Sequence, residues 1–251
     1  MKFTAKLVPV EEILRWRDHH RNEVNCQIVH NSLHARPGWT LSYLLFVDAT
    51  IAGYGATAIG GPWKSKPTVF EYYVLPKYRL HLFALFEVFL KESAAVAMEV
   101  QTNTPLLPEM LHAYARDIVS EKIVFCDAIT TNHAPTGAII RRLAPADAPQ
   151  IESRELDAEA KWGVECDGQL VAAGDILYHY NRPFGDIYMK VAEPFRKRGL
   201  GAYLVQELKR ICYEGGSVPA ARCSPENLAS RNTLQRAGFV PCGQGDAHDS
   251  M

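Results

Sequence analysis

The sequence predicts an α/β (α+β) chain made of two similar halves, and three observations carry that reading. Short apolar strand patterns alternate with helical periodicity along the 251 residues. The order strand, proline turn, helix, strand, helix occurs twice, although the residues themselves scarcely repeat. Between the copies, Thr130–Gly137 reads Thr-Thr-Asn-His-Ala-Pro-Thr-Gly, a run of turn formers. A chain of this length holds one large or two small domains. The division is drawn at 1–134 and 135–251.

In the first half, Glu11–His20 has helical spacing. Leu41–Val47 and Ile51–Ala58 flank Asp48-Ala-Thr as a hairpin, and Val69–Leu75 is a strand closed by Pro76. Helix Leu80–Lys91, strand Val96–Gln101, helix Leu107–Ala115 and strand Lys122–Ile129 follow. In the second half, Ala138–Leu143 is a strand, and Pro145-Ala-Asp147 opens a helix with Asp147 as a candidate cap. Lys161–Cys166 and Gln169–His179 flank the tight turn Asp167-Gly168. Asp186–Val191 is a strand ended by Pro194. A helix then runs from about Gly199 to Tyr213 with Leu200, Leu204, Leu208 and Ile211 on one face, stopped by Gly215-Gly216. Strand Ala220–Cys223, helix Asn227–Ala237 and strand Val240–Cys242 complete the order. Only eight residues follow Gly243, so a long final strand is expected to be absent or very short, with the sheet completed by the first half or by another subunit.

Composition bounds the function. Apolar residues make up 47% of the chain, enough for a core, and the 27 basic and 28 acidic residues give a formal charge of −1. That balance argues against a nucleic-acid partner, which calls for a basic excess. The six cysteines form no C-x-x-C pair and read as reduced thiols. Neither a signal peptide nor a membrane span of about 20 apolar residues is seen, so a cytoplasmic protein with no membrane partner is expected.

One segment carries chemistry. Arg196-Lys197-Arg198-Gly199-Leu200-Gly201 joins a strand to a helix. The first N–H groups of a helix have no partner inside it and sit at the positive end of its dipole. Glycines let an anion approach the backbone, and three cationic side chains add attraction. The result suits a phosphate or pyrophosphate. The segment is neither a P-loop nor a dinucleotide fingerprint. Taken alone, it also fits a basic helix start with no ligand.

R-x-x-G-x-G in this place resembles the cofactor motif of the GNAT acetyltransferases. The stretch Asp186-Ile-Tyr-Met-Lys-Val191 followed by Pro194–Gly201 is similar to the family, as is Asn227 with Gly238-Phe239 eleven residues on. The resemblance covers about Ala138–Gly243. It implies tandem GNAT-like domains, each a mixed, mostly antiparallel sheet flanked by helices, with a splayed sheet in the second. It implies acetyl-CoA as co-substrate and acetyl transfer to a primary amine by direct attack in a ternary complex. Met189, Lys190 and Val191 would hold the pantetheine arm. Arg196, Lys197, Arg198, Gly199, Leu200, Gly201 and Ala202 would hold the pyrophosphate, with Tyr203 one turn further on. Asn227 and Arg231 would lie along the outer part of the cofactor.

An amine with a pKa of about 10.4 arrives charged and must lose a proton before it attacks. Asp186 is the first candidate base and Glu193 the second, although Glu193 also reads as a solvated turn residue. Tyr178, His179 and Tyr180 form a polar-aromatic cluster in which strand alternation sends His179 to the face opposite the two tyrosines, and Tyr178 is a candidate catalytic residue. Ordinary strand packing is the alternative. Where the family often has a tyrosine acid, this chain has Leu234, which cannot donate a proton.

The first half has Leu75-Pro-Lys-Tyr-Arg-Leu-His81 in place of the cofactor motif and lacks its glycines. It reads as a degenerate copy, with Leu80 and His81 filling the helix start. His19, His20, His30 and His34 show no metal-ligand spacing, so no metal is expected. Trp16, Trp39 and Trp63 read as packing residues or the lining of a pocket. The competing function is a non-catalytic acyl-CoA-binding sensor or regulatory module. Whether the chain is a monomer or a homodimer stays open, as does the identity of the acceptor.

Overall fold

The computed structural model describes residues 1–248. Twelve strands and six α-helices appear among them. In chain order these are β1 (Phe3–Val8), α1 (Leu14–Val24), β2 (Thr40–Val47), β3 (Thr50–Ala58), β4 (Thr68–Val74), α2 (Leu82–Ser93), β5 (Ala97–Gln101), α3 (Leu107–Tyr114) and β6 (Val119–Asp127). Then come β7 (Ala138–Arg142), α4 (Ala148–Ser153), β8 (Trp162–Cys166), β9 (Gln169–Leu177), β10 (Phe184–Val191), α5 (Leu200–Glu214), β11 (Val218–Cys223), α6 (Leu228–Arg236) and β12 (Phe239–His248). The expected class holds: mixed, mostly antiparallel sheets flanked by helices.

The chain forms two compact units, one of Met1–Lys122 with Gly243–Met251 and the other of Ile123–Cys242. In the first unit the strands run β1-β2-β3-β4-β5 and then the end of β12. In the second they run β6-β11-β10-β9-β8-β7. Each unit has one parallel pair, β4 with β5 and β10 with β11. Parallel neighbours need a crossover, which α2 and α5 supply.

The tail corrects one expectation. The last strand is ten residues long, not vestigial. Its residues Gly245–His248 pair antiparallel with Met98–Gln101 of β5. Conversely, Ile123–Cys126 of β6 pair with β11 in the second unit. Each unit is therefore completed by a strand from the other half of the sequence. Polar, Gly-rich residues disguised this ladder, because backbone pairing requires no apolar pattern. Asp249–Met251 lie outside the described residues.

Two further differences have local causes. β1 is an additional strand, formed over an alternating Phe-Thr-Ala-Lys-Leu-Val pattern. Asp147 does not cap α4. It sits at the third position of a 3-10 turn, and its Oδ2 accepts from the Ala144 N–H at 2.7 Å. Arg141 bonds both of its oxygens at 2.9 and 2.7 Å, and together these bonds hold the carboxyl down at about 2.

The second unit's core has two clusters, and the larger lies under α5. Leu200, Leu204, Val205 and Leu208 of α5 pack against Val171 and Ile176 of β9, Ile187 of β10 and Phe239 of β12. Leu234 of α6 lies in the same cluster, 3% exposed. A buried cation fastens it. The Lys209 ammonium donates to Ile129 O at 2.8 Å and Ala237 O at 2.7 Å and pairs with Asp127.

Candidate functional site

The turn between β10 and α5 is shaped by its glycine. Gly199 sits at φ 80°, where a Cβ is strained, and the space beside it is open. The Tyr203 N–H bonds Gly199 O at 3.0 Å, the first bond of the helix. No side chain caps this end. The N–H groups of Leu200, Gly201 and Ala202 are thus the helix-start donors that a ligand oxygen would use. Arg196, Lys197 and Arg198 are exposed around them. Arg196 Nε donates to Val191 O at 3.2 Å, and the Arg198 guanidinium lies 5.4 Å from the centre of the Phe195 ring. Glu193 is exposed, and its backbone oxygen accepts from the Arg196 N–H.

Gly201 does different work. A Cβ there would come within 3.1 Å of the Thr233 methyl, 3.3 Å of Val191 Cγ2 and 3.6 Å of Met189 Cε. Its absence lets α5 lie close to both β10 and α6. At the head of α6, the Asn227 side chain caps the helix by accepting from the Ser230 N–H at 3.0 Å. Arg231, one turn in, is half-buried.

A gap opens between β10 and β11. They are paired at Phe184–Val218, Gly185–Pro219 and Asp186–Ala220 and no further. β10 runs on to Val191, still paired with β9. One edge of Ile187–Val191 therefore faces the gap, which leads from Asp186 to the α5 turn. Five residues of strand span about 17 Å, comparable to an extended pantetheine arm.

The face of β10 away from α5 carries Asp186, Tyr188 and Lys190. Asp186 is buried at the closed end of the gap. Its Oδ2 lies 3.1 Å from His179 Nε2 and 3.6 Å from Arg222 Nε. The His179 and Tyr180 rings meet edge to face at 4.5 Å. Tyr180 is buried, which raises its phenol above the ordinary value, and the charge of Asp186 adds to that. Alternation misplaced this cluster. β9 ends at Leu177, so the chain turns and brings His179 and Tyr180 together beside Asp186. Tyr178 goes to the α5 face, next to Gly185 and Gly215, and is 62% exposed.

Several polar residues were not singled out from sequence. Arg222 is one cation in a four-residue apolar strand pattern, and only the pairing of β10 with β11 brings it to Asp186. Asp175 is buried on β9 opposite Tyr188 and pairs with Lys161 at 2.8 Å. Burial, with Asp157, Asp175 and Glu159 nearby, pushes the Tyr188 phenol up to about 12.

The first unit lacks this arrangement. Pro76–His81 is a 3-10 helix running straight into α2, and its turns use their own amides, with Tyr78 N–H on Leu75 O and Leu82 N–H on Arg79 O. Leu80 does not fill the helix start: it is 94% exposed. Beyond Thr68–Ala97 and Val69–Met98, β4 and β5 also part. There Gln101 holds the Gln27–Val29 backbone, and buried Glu71 receives two bonds from Arg17. Three of the four N-terminal histidines have partners of this kind. His34 faces Glu71 at 3.2 Å, His30 faces Glu99 at 3.1 Å, and His20 shares a hydrogen bond with Tyr54. Trp39 packs edge to face on Trp63, whose indole donates to Glu99.

Comparison with known proteins agrees with this geometry. Residues 132–239 match the acetyltransferase (GNAT) family model. A search of curated proteins gives no match. Among solved structures, the chain is similar to a GNAT-family acetyltransferase from Colwellia psychrerythraea, at TM-score 0.74 and 13% identity over 99% of this chain and 100% of that one. It is similar to a GCN5-related N-acetyltransferase from Sphaerobacter thermophilus, at 0.59 and 16%, over 98% and 94%. It is also similar to a tandem GNAT protein from the clavulanic acid biosynthesis pathway, at 0.62 and 14%, over 98% and 97%. At these identities the structures speak for the fold alone, while the family model speaks for the sequence. Residues 132–239 form an acetyltransferase domain of the GNAT family.

Proposed function

We propose that the second unit transfers an acetyl group from acetyl-CoA to a primary amine by direct attack in a ternary complex. The observation that carries this is the gap between β10 and β11, closed at Asp186 and opening toward the α5 turn. In this reading the backbone edge of Met189, Lys190 and Val191 lines the pantetheine. The turn from Arg196 through Ala202 takes the pyrophosphate, and Asn227 and Arg231 flank the outer part. A β10 N–H at the gap stabilises the oxygen on which negative charge builds.

The amine approaches from the face carrying Asp186, and its proton leaves through the polar cluster gathered on that carboxylate. Glu193 and Tyr178 have weaker claims, since one is a solvated turn residue and the other lies on the α5 face. Leu234, buried in the core, offers no proton to the leaving sulfur. In this proposal the first unit, whose gap is filled by its own residues, is a degenerate copy with no cofactor. No disulfide links the six cysteines, which supports a cytoplasmic setting. No helix among the described residues is long and apolar enough to cross a membrane.

The test is release of free coenzyme A from acetyl-CoA with a panel of primary amines: amino sugars, amino acids, polyamines and a lysine peptide. Sustained release with at least one amine supports the enzyme. Binding of acetyl-CoA with no release for any amine would instead support an acyl-CoA sensor.

A further inference from the structure

Resting on the acetyl-transfer reading above, we propose that His179, held by Asp186 as a positioning residue, is the general base that takes the proton from the attacking amine. The Asp186 carboxylate is already committed. One of its oxygens faces both His179 Nε2 and Arg222 Nε, and its side chain is only 9% exposed. His179 keeps 27% of its side chain exposed.

The ring geometry supports the assignment. His179 Nε2 is buried 3.1 Å from the carboxylate but turned off the line of a hydrogen bond. A buried ring nitrogen left in that state is costly unless a bound ligand draws the pair into line, and catalytic hydrogen bonds often tighten only in the complex. Nε2–H aligned on Asp186 fixes the tautomer and leaves the Nδ1 lone pair for the amine. The charged and titratable groups facing the imidazole are Asp186 from β10, Arg222 from β11 and Tyr180 beside it.

The step balances within the site. The ammonium first gives one proton to solvent; the freed lone pair then forms the C–N bond, and the C–S bond breaks with its electron pair going to sulfur. The proton on nitrogen passes to His179 Nδ1. The imidazolium, steadied by Asp186, then returns that proton to the sulfur directly or through water. This route fills the gap left by Leu234 without a second acid.

The experiment compares wild type, His179→Gln and Asp186→Asn. Coenzyme A release is followed against pH with acetyl-CoA and the fastest amine of the panel, and acetyl-CoA-induced thermal stabilisation serves as the check on folding and cofactor binding. His179→Gln should keep the acetyl-CoA shift, lose ~10²–10³-fold in kcat/KM, and lose the acid limb of the profile. Asp186→Asn should keep an acid limb while lowering the rate. Nitrogen-15 spectra of the imidazole should show the Nε2–H tautomer in wild type and a mixture in Asp186→Asn. A His179→Gln enzyme with wild-type rate and an intact acid limb would overturn the assignment, as would an Nδ1–H imidazole in wild type. If acetyl-CoA binds but no amine is turned over, the acetyl-transfer reading fails first and takes this role with it.

Discussion

Asp186 on β10 lies opposite Ala220 on β11, and theirs is the last pair before the two strands separate. Everything proposed for the second unit follows from that parting. Amides of Ile187–Val191 on the gap side have no partner strand, whereas those facing β9 do. Without ligand the gap-side amides should exchange rapidly with solvent, and saturating acetyl-CoA should protect them. Hydrogen exchange read at single residues checks this. Unchanged exchange along Ile187–Val191 on ligand binding would remove the strand edge from the cofactor site.

Lys209 is a structural cation. Its ammonium is buried against Asp127, Ile129 O and Ala237 O. Lys209→Met leaves the Asp127 carboxylate without its cation, although Tyr213 still donates to it, and two carbonyls without their donor, and should cost about 3–5 kcal/mol. The urea midpoint gives the answer. Adding Asp127→Leu should restore part of the loss, because the uncompensated charge goes with it.

His20 makes the first unit sensitive to acid. Burial is the largest effect and holds the imidazole down at about 4, against an ordinary 6.5. The unfolded chain therefore takes up a proton near pH 6.5 that the folded chain refuses until about pH 4. The stability conferred by neutral His20 is fully present above pH 6.5 and is lost as pH falls toward 4. His20→Gln should flatten the stability curve in that window. Denaturant melts at closely spaced pH values would show an unchanged slope if His20 were not responsible.

Removing Gly243–Met251 should loosen the first unit rather than the second, because Gly245–His248 pair with β5. Amides of Met98–Gln101 on that edge should exchange faster in the truncated chain. Loss of protection confined to β10 and β11 would contradict this strand assignment.

Much of this was legible in the chain. The hairpin around Asp48, the strand–turn–helix around Gly199 and the α6 start at Asn227 each carry a local pattern tied to a local cause: a left-handed turn residue, a helix without a capping side chain, an asparagine cap. The exchanged ends of β6 and β12 carry no such pattern, since their pairing is set by partners 94 to 150 residues away. The His179–Asp186–Arg222 cluster was half-legible. Its residues were in view or nearby, but alternation was carried past Leu177, where the strand stops, and Arg222 gains meaning only from the register of β11 against β10.

The decisive measurement is thermal unfolding of wild type and Gly199→Glu with and without acetyl-CoA. Gly199 is left-handed, so glutamate there costs about 1–2 kcal/mol of backbone strain, and each protein is judged against its own ligand-free melt. At about a hundred times its dissociation constant, acetyl-CoA should stabilise wild type by roughly 2.7 kcal/mol. The variant, with a side chain and a negative charge where phosphate oxygens should sit, should not respond. Equal stabilisation of both proteins, or of neither, would contradict a cofactor site on this turn.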